Sequence, residues 1–250
     1  MVRSAVRCLV SLARIGAVVV GTMCGSAALA APNILMVTTN NGTLTSLEAG
    51  RKAQIESAGF VVNTIWDGAS QATFDAAFAN NRAVYVPDEA TTTELAYKLR
   101  EATIGVVCEH PGMTDELGFC TSNASSTAGS SVNVTNNTHY VTNVFATGSL
   151  VLGSGTYTIS RMAGTTASGA QVLATVGGVN CIVAIDTGAT LANTYNSSNV
   201  AFGRRVFFPI PVSVNDGSTF NSNPYVLCFR MLNWAAGLDK ALVGHWKLNE

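Results

Sequence analysis

From Pro32 onward, apolar residues fall in short runs set between polar turns, and in the first half these runs alternate with stretches of helical period. Ile34–Thr38 (ILMVT), Phe60–Trp66, Ala83–Pro87 (AVYVP) and Ile104–Cys108 (IGVVC) have the length and content of buried strands. Between the first two, Thr45-x-x-Glu48 is a capping-box pattern that opens a helix over Leu47–Ala58, and Gly59 stops it. Phe74–Asn80 reads as a short helix, and Thr91–Ala102, with Leu95 and Leu99 on one face, as another. Short apolar strands alternating with helices predict a parallel sheet covered on both faces. Right-handed crossovers then carry the loops after strands one, three and four to one edge of that sheet. These loops are Asn40–Thr43, Asp88–Thr91 and Glu109–Met113.

The second half has a different rhythm. Thr121–Ser131 is rich in Ser, Thr, Ala and Gly and reads as a flexible loop. Ser149–Leu152, Thr156–Met162, Gln171–Val176 and Cys181–Asp186 are strand-like with little helix between them, which predicts an antiparallel β extension. Gly203–Phe208 (GRRVFF) is a last core strand, and Pro224–Ala236 a closing helix. The first thirty residues fit a secretory signal: Arg3 and Arg7, a short apolar run over Ile15–Met23, and a small-x-small site at Ala28-Leu29-Ala30. Cleavage after Ala30 is the expectation, with no membrane span remaining, and hence a secreted, periplasmic or cell-surface location. The domains are then a leader over 1–30, one α/β domain over 31–238, and a linker with the opening strand of a further domain over 239–250.

Charge narrows the partners. Without the leader, 11 basic residues face 15 acidic ones, a formal net charge of −4, and no basic stripe runs anywhere in the chain. Phosphate backbones demand concentrated Lys and Arg, so nucleic acid is excluded as a partner class. Thr39–Thr43 has one glycine and no lysine, so it is no phosphate loop, and no cofactor is expected. Cys108, Cys120, Cys181 and Cys228 remain after the leader; in an oxidising compartment they allow three complete pairings, with Cys108–Cys120 the first to test. No clustered Cys/His spacing suggests a metal site.

Several segments together resemble a known family. Ile34–Thr38, Thr138-His139-Tyr140-Val141-Thr142, Gly203–Phe208 and Leu232-Asn233-Trp234-Ala235-Ala236-Gly237 are similar in order and spacing to ThuA-like domains of the class I glutamine amidotransferase-like superfamily. Tyr140 stands where that family has proline. The resemblance implies a flavodoxin-like, doubly wound, mostly parallel α/β fold, here with the antiparallel β extension in the second half. Leu242–Glu250 resembles the opening strand of a LamG-like, concanavalin-type jelly roll, which implies a carbohydrate- or surface-binding neighbour.

Enzymes of that superfamily carry a cysteine in a tight turn after a strand, completed by a histidine and an acid. The nearest counterpart is Cys108-Glu109-His110 at the end of the fourth strand. A thiolate stabilised at a sheet edge is a nucleophile. Against this, no glycine stands two residues after Cys108, Pro111 constrains the loop, and no histidine follows within Pro209–Phe220. Neighbouring side chains of an extended segment also face opposite ways, which separates Cys108 from Glu109. Asn40, Asn41, Asp88, Glu89 and Glu109 line the same edge and are the candidate ligand contacts. Asp186-Thr187-Gly188 is read as a strand-to-turn transition. The expectation is a secreted, non-catalytic binding or scaffolding domain of a larger surface protein, with polysaccharide or cell-surface material as partner. The alternatives are a cysteine-dependent hydrolase using Cys108, with His110 or Glu109 assisting, and a structural spacer.

Overall fold

A computed structural model describes residues 31–211, 214–215 and 217–240. The expected leader and the expected jelly-roll strand, Leu242–Glu250, lie outside these residues.

In chain order the elements begin with β1 (Asn33–Thr38), α1 (Ser46–Ser57), β2 (Val61–Trp66), α2 (Gln71–Phe78), β3 (Ala83–Val86), α3 (Thr92–Leu95) and β4 (Gly105–Cys108). After a 3-10 turn at Pro111–Met113 come β5 (Cys120–Gly129), β6 (Ser131–Val134), β7 (Gly148–Val151), β8 (Tyr157–Thr166), β9 (Ala170–Val176) and β10 (Val179–Ile185). The chain continues through β11 (Thr190–Tyr195), β12 (Ser198–Val200), β13 (Arg205–Phe207), a second 3-10 turn at Gly217–Thr219, and α4 (Asn223–Ala235).

One mixed sheet of nine strands dominates, in the order β2-β1-β3-β4-β13-β10-β9-β6-β7. Pairing is parallel from β2 to β13 and antiparallel from β13 onward. Two separate pairs, β5 with β8 and β11 with β12, complete the strands. Alternation along each central strand sorts side chains to two cores. Ile34, Met36, Tyr85, Val107 and Val206 pack with Ile55 of α1 and Leu227 and Met231 of α4. Leu35, Val37, Val84, Val86, Cys108 and Phe207 pack with Phe74 and Phe78 of α2 and Leu95 of α3.

The expected flavodoxin-like, doubly wound α/β fold is overturned. Strand exceeds helix, and the sheet is mixed. Two local effects explain the shift. Ala96 sits at φ 41°, so the expected long helix stops after Leu95 and the chain runs on in turns to Ala102. Thr121–Gly129, expected as a loop, lies within β5 and pairs antiparallel with β8, from Cys120↔Thr166 to Gly129↔Tyr157. Its Ser, Thr and Ala side chains are poor strand signals by themselves; pairing with a committed neighbour overrides propensity.

Candidate functional site

β1, β3 and β4 are adjacent and parallel, so their C-terminal ends share one sheet edge. Each expected site residue follows one of these ends or, as Cys108, closes one. After β1, Asn40 and Asn41 are exposed in a turn completed by Gly42 at φ 84°. That turn is tied down by Glu48, fully buried on α1. One carboxylate oxygen accepts from the Thr39 N–H at 2.6 Å and from the Thr39 hydroxyl at 3.1 Å. The other accepts from the Thr45 N–H at 2.7 Å, and the Glu48 N–H donates to the Thr45 hydroxyl, closing the capping box read from the sequence.

After β3, Asp88 and Glu89 are half-buried. Burial, then the neighbouring Asp88 charge, pushes the Glu89 carboxyl up to about 7. This loop is anchored by Asp67 at the end of β2, a buried residue whose carboxylate accepts from the Thr91 N–H at 2.7 Å. Lys98 in turn donates to the Asp67 backbone carbonyl at 2.6 Å.

At the end of β4 the three consecutive candidates separate. Cys108 is fully buried among the α2 and α3 side chains, its thiol 3.4 Å from the His110 carbonyl, and burial pushes its pKa well above the ordinary thiol value. A thiol held protonated away from solvent is a poor nucleophile. All four cysteines of the described domain are free and buried, so the Cys108–Cys120 bridge is not formed. His110 caps the 3-10 turn: its Nδ1 accepts from the Gly112 N–H at 2.9 Å. Burial lowers its pKa, opposed by the nearby Asp88 charge and a hydrogen bond with the Ala90 backbone.

Glu109 points the other way, into the core beneath α1 and α4, and is not a surface ligand contact. Arg51 Nη2 meets its Oε1 at 2.7 Å, with 8% and 0% of the two side chains exposed. The Tyr85 hydroxyl donates to its other oxygen. Burial raises the Glu109 pKa, and the Arg51 charge pulls it back down. Arg51 also donates from Nη1 to Gln54 at 2.6 Å and lies over the Tyr85 ring. Cys228 of α4 completes the cluster, its thiol pushed up to about 12 by burial.

Arg51 and Tyr85 were not among the residues singled out from the sequence, and Cys228 was read there only as a candidate for disulfide pairing. Two signals were there to find. Glu48, Arg51 and Ile55 are the buried residues of α1, so two charged side chains share its inward stripe at helical spacing. A tyrosine inside the four-residue buried run AVYV also needs a partner for its hydroxyl.

The segments that carry the family resemblance meet elsewhere. His139 packs edge-on to Trp234 with ring centroids 4.9 Å apart, and the Arg204 guanidinium lies 4.9 Å from the Trp234 ring centroid. Arg204 also pairs with Asp239 at 2.7 Å and with Asp186 at 3.6 Å. Asp186 follows β10 and leads into a plain turn, as expected, with Gln171 donating to its carboxylate at 2.8 Å. This cluster joins α4 to the sheet. Among the described residues no group of three or more His, Cys, Asp and Glu side chains is placed to hold a metal, and no helix is long and apolar enough to cross a membrane.

No protein-family model matches the chain, and no curated protein matches it. Among solved structures it is similar to PurLQS from Thermotoga maritima, at 12% identity and a TM-score of 0.49, over 82% of this chain and 99% of that one. This weak likeness to a class I glutamine amidotransferase-like enzyme transfers no residue role, and nothing matched bears on the jelly-roll resemblance.

Proposed function

We propose that the domain is an exported, non-catalytic binding module that takes up hydroxyl-rich material, such as polysaccharide, at the edge formed by the loops after β1 and β3. The observation that carries this reading is a division of labour at that edge. Cys108, Glu109 and His110, the groups a hydrolase would use, are committed to the core or to a turn. Asn40 and Asn41 are exposed, and Asp88 and Glu89 are half-exposed beside them on adjacent strand ends. Neutral amides donate and accept at once, and the Glu89 carboxyl, with its pKa raised to about 7, does the same while protonated. Such an edge suits an uncharged ligand that carries many hydroxyls.

The test is retention of the purified chain on insoluble cellulose, chitin, xylan and cell-wall preparations. Asn41→Ala, Asp88→Asn and Glu89→Gln are each expected to lower retention several-fold on at least one material, without lowering the thermal midpoint. Equal retention by wild type and all three variants on every material overturns the reading. Glu109 is left out of this series because its loss would unbalance a buried pair.

A further inference from the structure

The two edges of the nine-stranded sheet end differently. β7 closes one of them with four residues, and the carbonyl of its last residue, Val151, accepts from the side-chain amides of Asn221 at 2.9 Å and Asn223 at 2.7 Å. β2 closes the other with six residues, VVNTIW, which include no charge, no proline and no glycine. It runs beside β1 from Asn33↔Val61 to Thr38↔Trp66 without a bulge. Bulges, charges and prolines are what keep a free strand edge from pairing, and β2 has none of them.

The ladder to β1 fixes which backbone groups this edge presents. The N–H groups of Val61 and Asp67 point inward, donating to the Pro32 carbonyl at 3.1 Å and the Thr38 carbonyl at 2.8 Å. Backbone groups of successive strand residues point to opposite sides, so those of Val62, Thr64 and Trp66 point outward. Among the described residues their N–H groups meet no partner, and neither do the carbonyls of Val62 and Thr64. The Trp66 carbonyl accepts from the Ala69 N–H at 3.0 Å, which leaves it a second lone pair. The Trp66 indole lies against Gly68, where an added Cβ would come within 2.3 Å of the ring, yet the residue stays 37% exposed.

We propose that β2 is a self-pairing edge, which joins two copies of this chain through an antiparallel β2–β2 ladder centred on Thr64. A two-fold axis normal to the sheet keeps each face on its own side, so a residue stands only opposite one that shares its face. The register that uses all three outward residues sets Thr64 opposite Thr64 of the second copy, and Val62 opposite Trp66. Each such pair exchanges N–H···O bonds in both directions. Thr–Thr and aromatic–β-branched pairs are favourable cross-strand neighbours, and no charge in β2 meets its like. A register centred on Asn63 instead runs Trp66 past the end of the opposing strand. The pairing lies at the side of the sheet and does not depend on what the strand-end loops bind.

The test is sedimentation of the full chain over a range of concentrations, for wild type and for charge variants at the centre of the ladder. Because Thr64 stands opposite its own copy, Thr64→Lys sets like charges face to face, and so does Thr64→Glu. Thr64 is exposed and its N–H lies outside the β1 ladder, so both variants keep the fold, checked by far-ultraviolet circular dichroism. Wild type is expected to sediment as a dimer and each variant alone as a monomer. An equimolar mixture of the two variants is expected to restore the dimer, since opposite charges then meet. Ser149→Lys, exposed on β7 at the other edge, is expected to leave the dimer intact. A wild type that stays monomeric up to its solubility limit overturns the proposal. So does a dimer that survives both Thr64 variants, one lost in Ser149→Lys, or a mixture that fails to re-form it.

Discussion

The buried pair Arg51–Glu109 is the most consequential side-chain contact at the strand-end edge. Two opposite charges removed from water are tolerated because each meets the other and a further polar group, Gln54 on one side and Tyr85 on the other. Removing one partner strands the remaining charge, and such breaks cost about 3–5 kcal/mol, whereas replacing both by apolar side chains is often close to neutral. Glu109→Leu is therefore expected to destabilise the domain by that amount. Arg51→Met with Glu109→Leu together should recover most of the loss, read from urea midpoints. A double variant as unstable as Glu109→Leu alone would mean that the pair stabilises beyond its own charge balance. The sequence flagged Glu109 by position, at the end of a strand. It did not reveal which way Glu109 faces, because its partners lie 24 and 58 residues away.

At the scale of elements, helix-to-sheet spacing is set by a glycine. A Cβ built on Gly105 of β4 would lie 2.1 Å from the Ala235 carbonyl of α4, so the helix rests directly on the strand backbone. Gly105→Ala must push α4 away, and overpacking of this kind costs about 1–3 kcal/mol. Gly50, within α1, has nothing within 4 Å of the same added atom. Gly50→Ala should instead stabilise by about 0.5–1 kcal/mol through helix propensity. Opposite shifts in thermal midpoint for one substitution at two glycines check the packing directly; equal shifts would contradict it. Several elements were legible from pattern alone. The apolar runs marked β1, β3 and β4 within a residue or two, and the capping box marked the start of α1. The β11–β12 hairpin was not legible, because Thr190–Val200 (TLANTYNSSNV) lacks an apolar alternation and turns through Asn196 and Ser197 at φ 46° and 63°.

For the whole molecule, two glutamates and two histidines pull the response to pH in opposite directions, since burial raises Glu89 and Glu116 and lowers His110 and His139. Glu89 beside Asp88 and Glu116 beside Asp115 are each raised to about 7, by burial first and by the neighbouring carboxyl in support. A folded chain with raised carboxyl pKa values holds protons that the unfolded chain has already released. The stability these two glutamates contribute is therefore full below the ordinary carboxylate range, near pH 4.5, and is lost as pH rises to about 7, while the lowered histidines work the other way as pH rises toward 6.5. Both glutamates are partly open to solvent, so each contributes on the order of 1 kcal/mol after screening. Between pH 4.5 and 8, urea midpoints of Glu89→Gln with Glu116→Gln should fall less, or rise more, than those of the wild type. The same pH dependence in wild type and double variant would show that neither glutamate holds its proton above the ordinary range in the folded chain.

The strands of the first half, α1 and the charge balance follow from sequence alone, because each rests on neighbours within a few residues; the helix expected over Thr91–Ala102 does not, since it stops after Leu95. Tertiary structure decided the rest. It turned a Ser/Thr-rich stretch into a strand by giving it a partner, and it extended the parallel strands into a mixed sheet of nine. It also sent Cys108 and Glu109 to opposite sides of that sheet. Adjacent residues of a strand must face opposite ways, but which face holds a guanidinium and which a hydrocarbon core is settled only when α1, α4 and the sheet pack together.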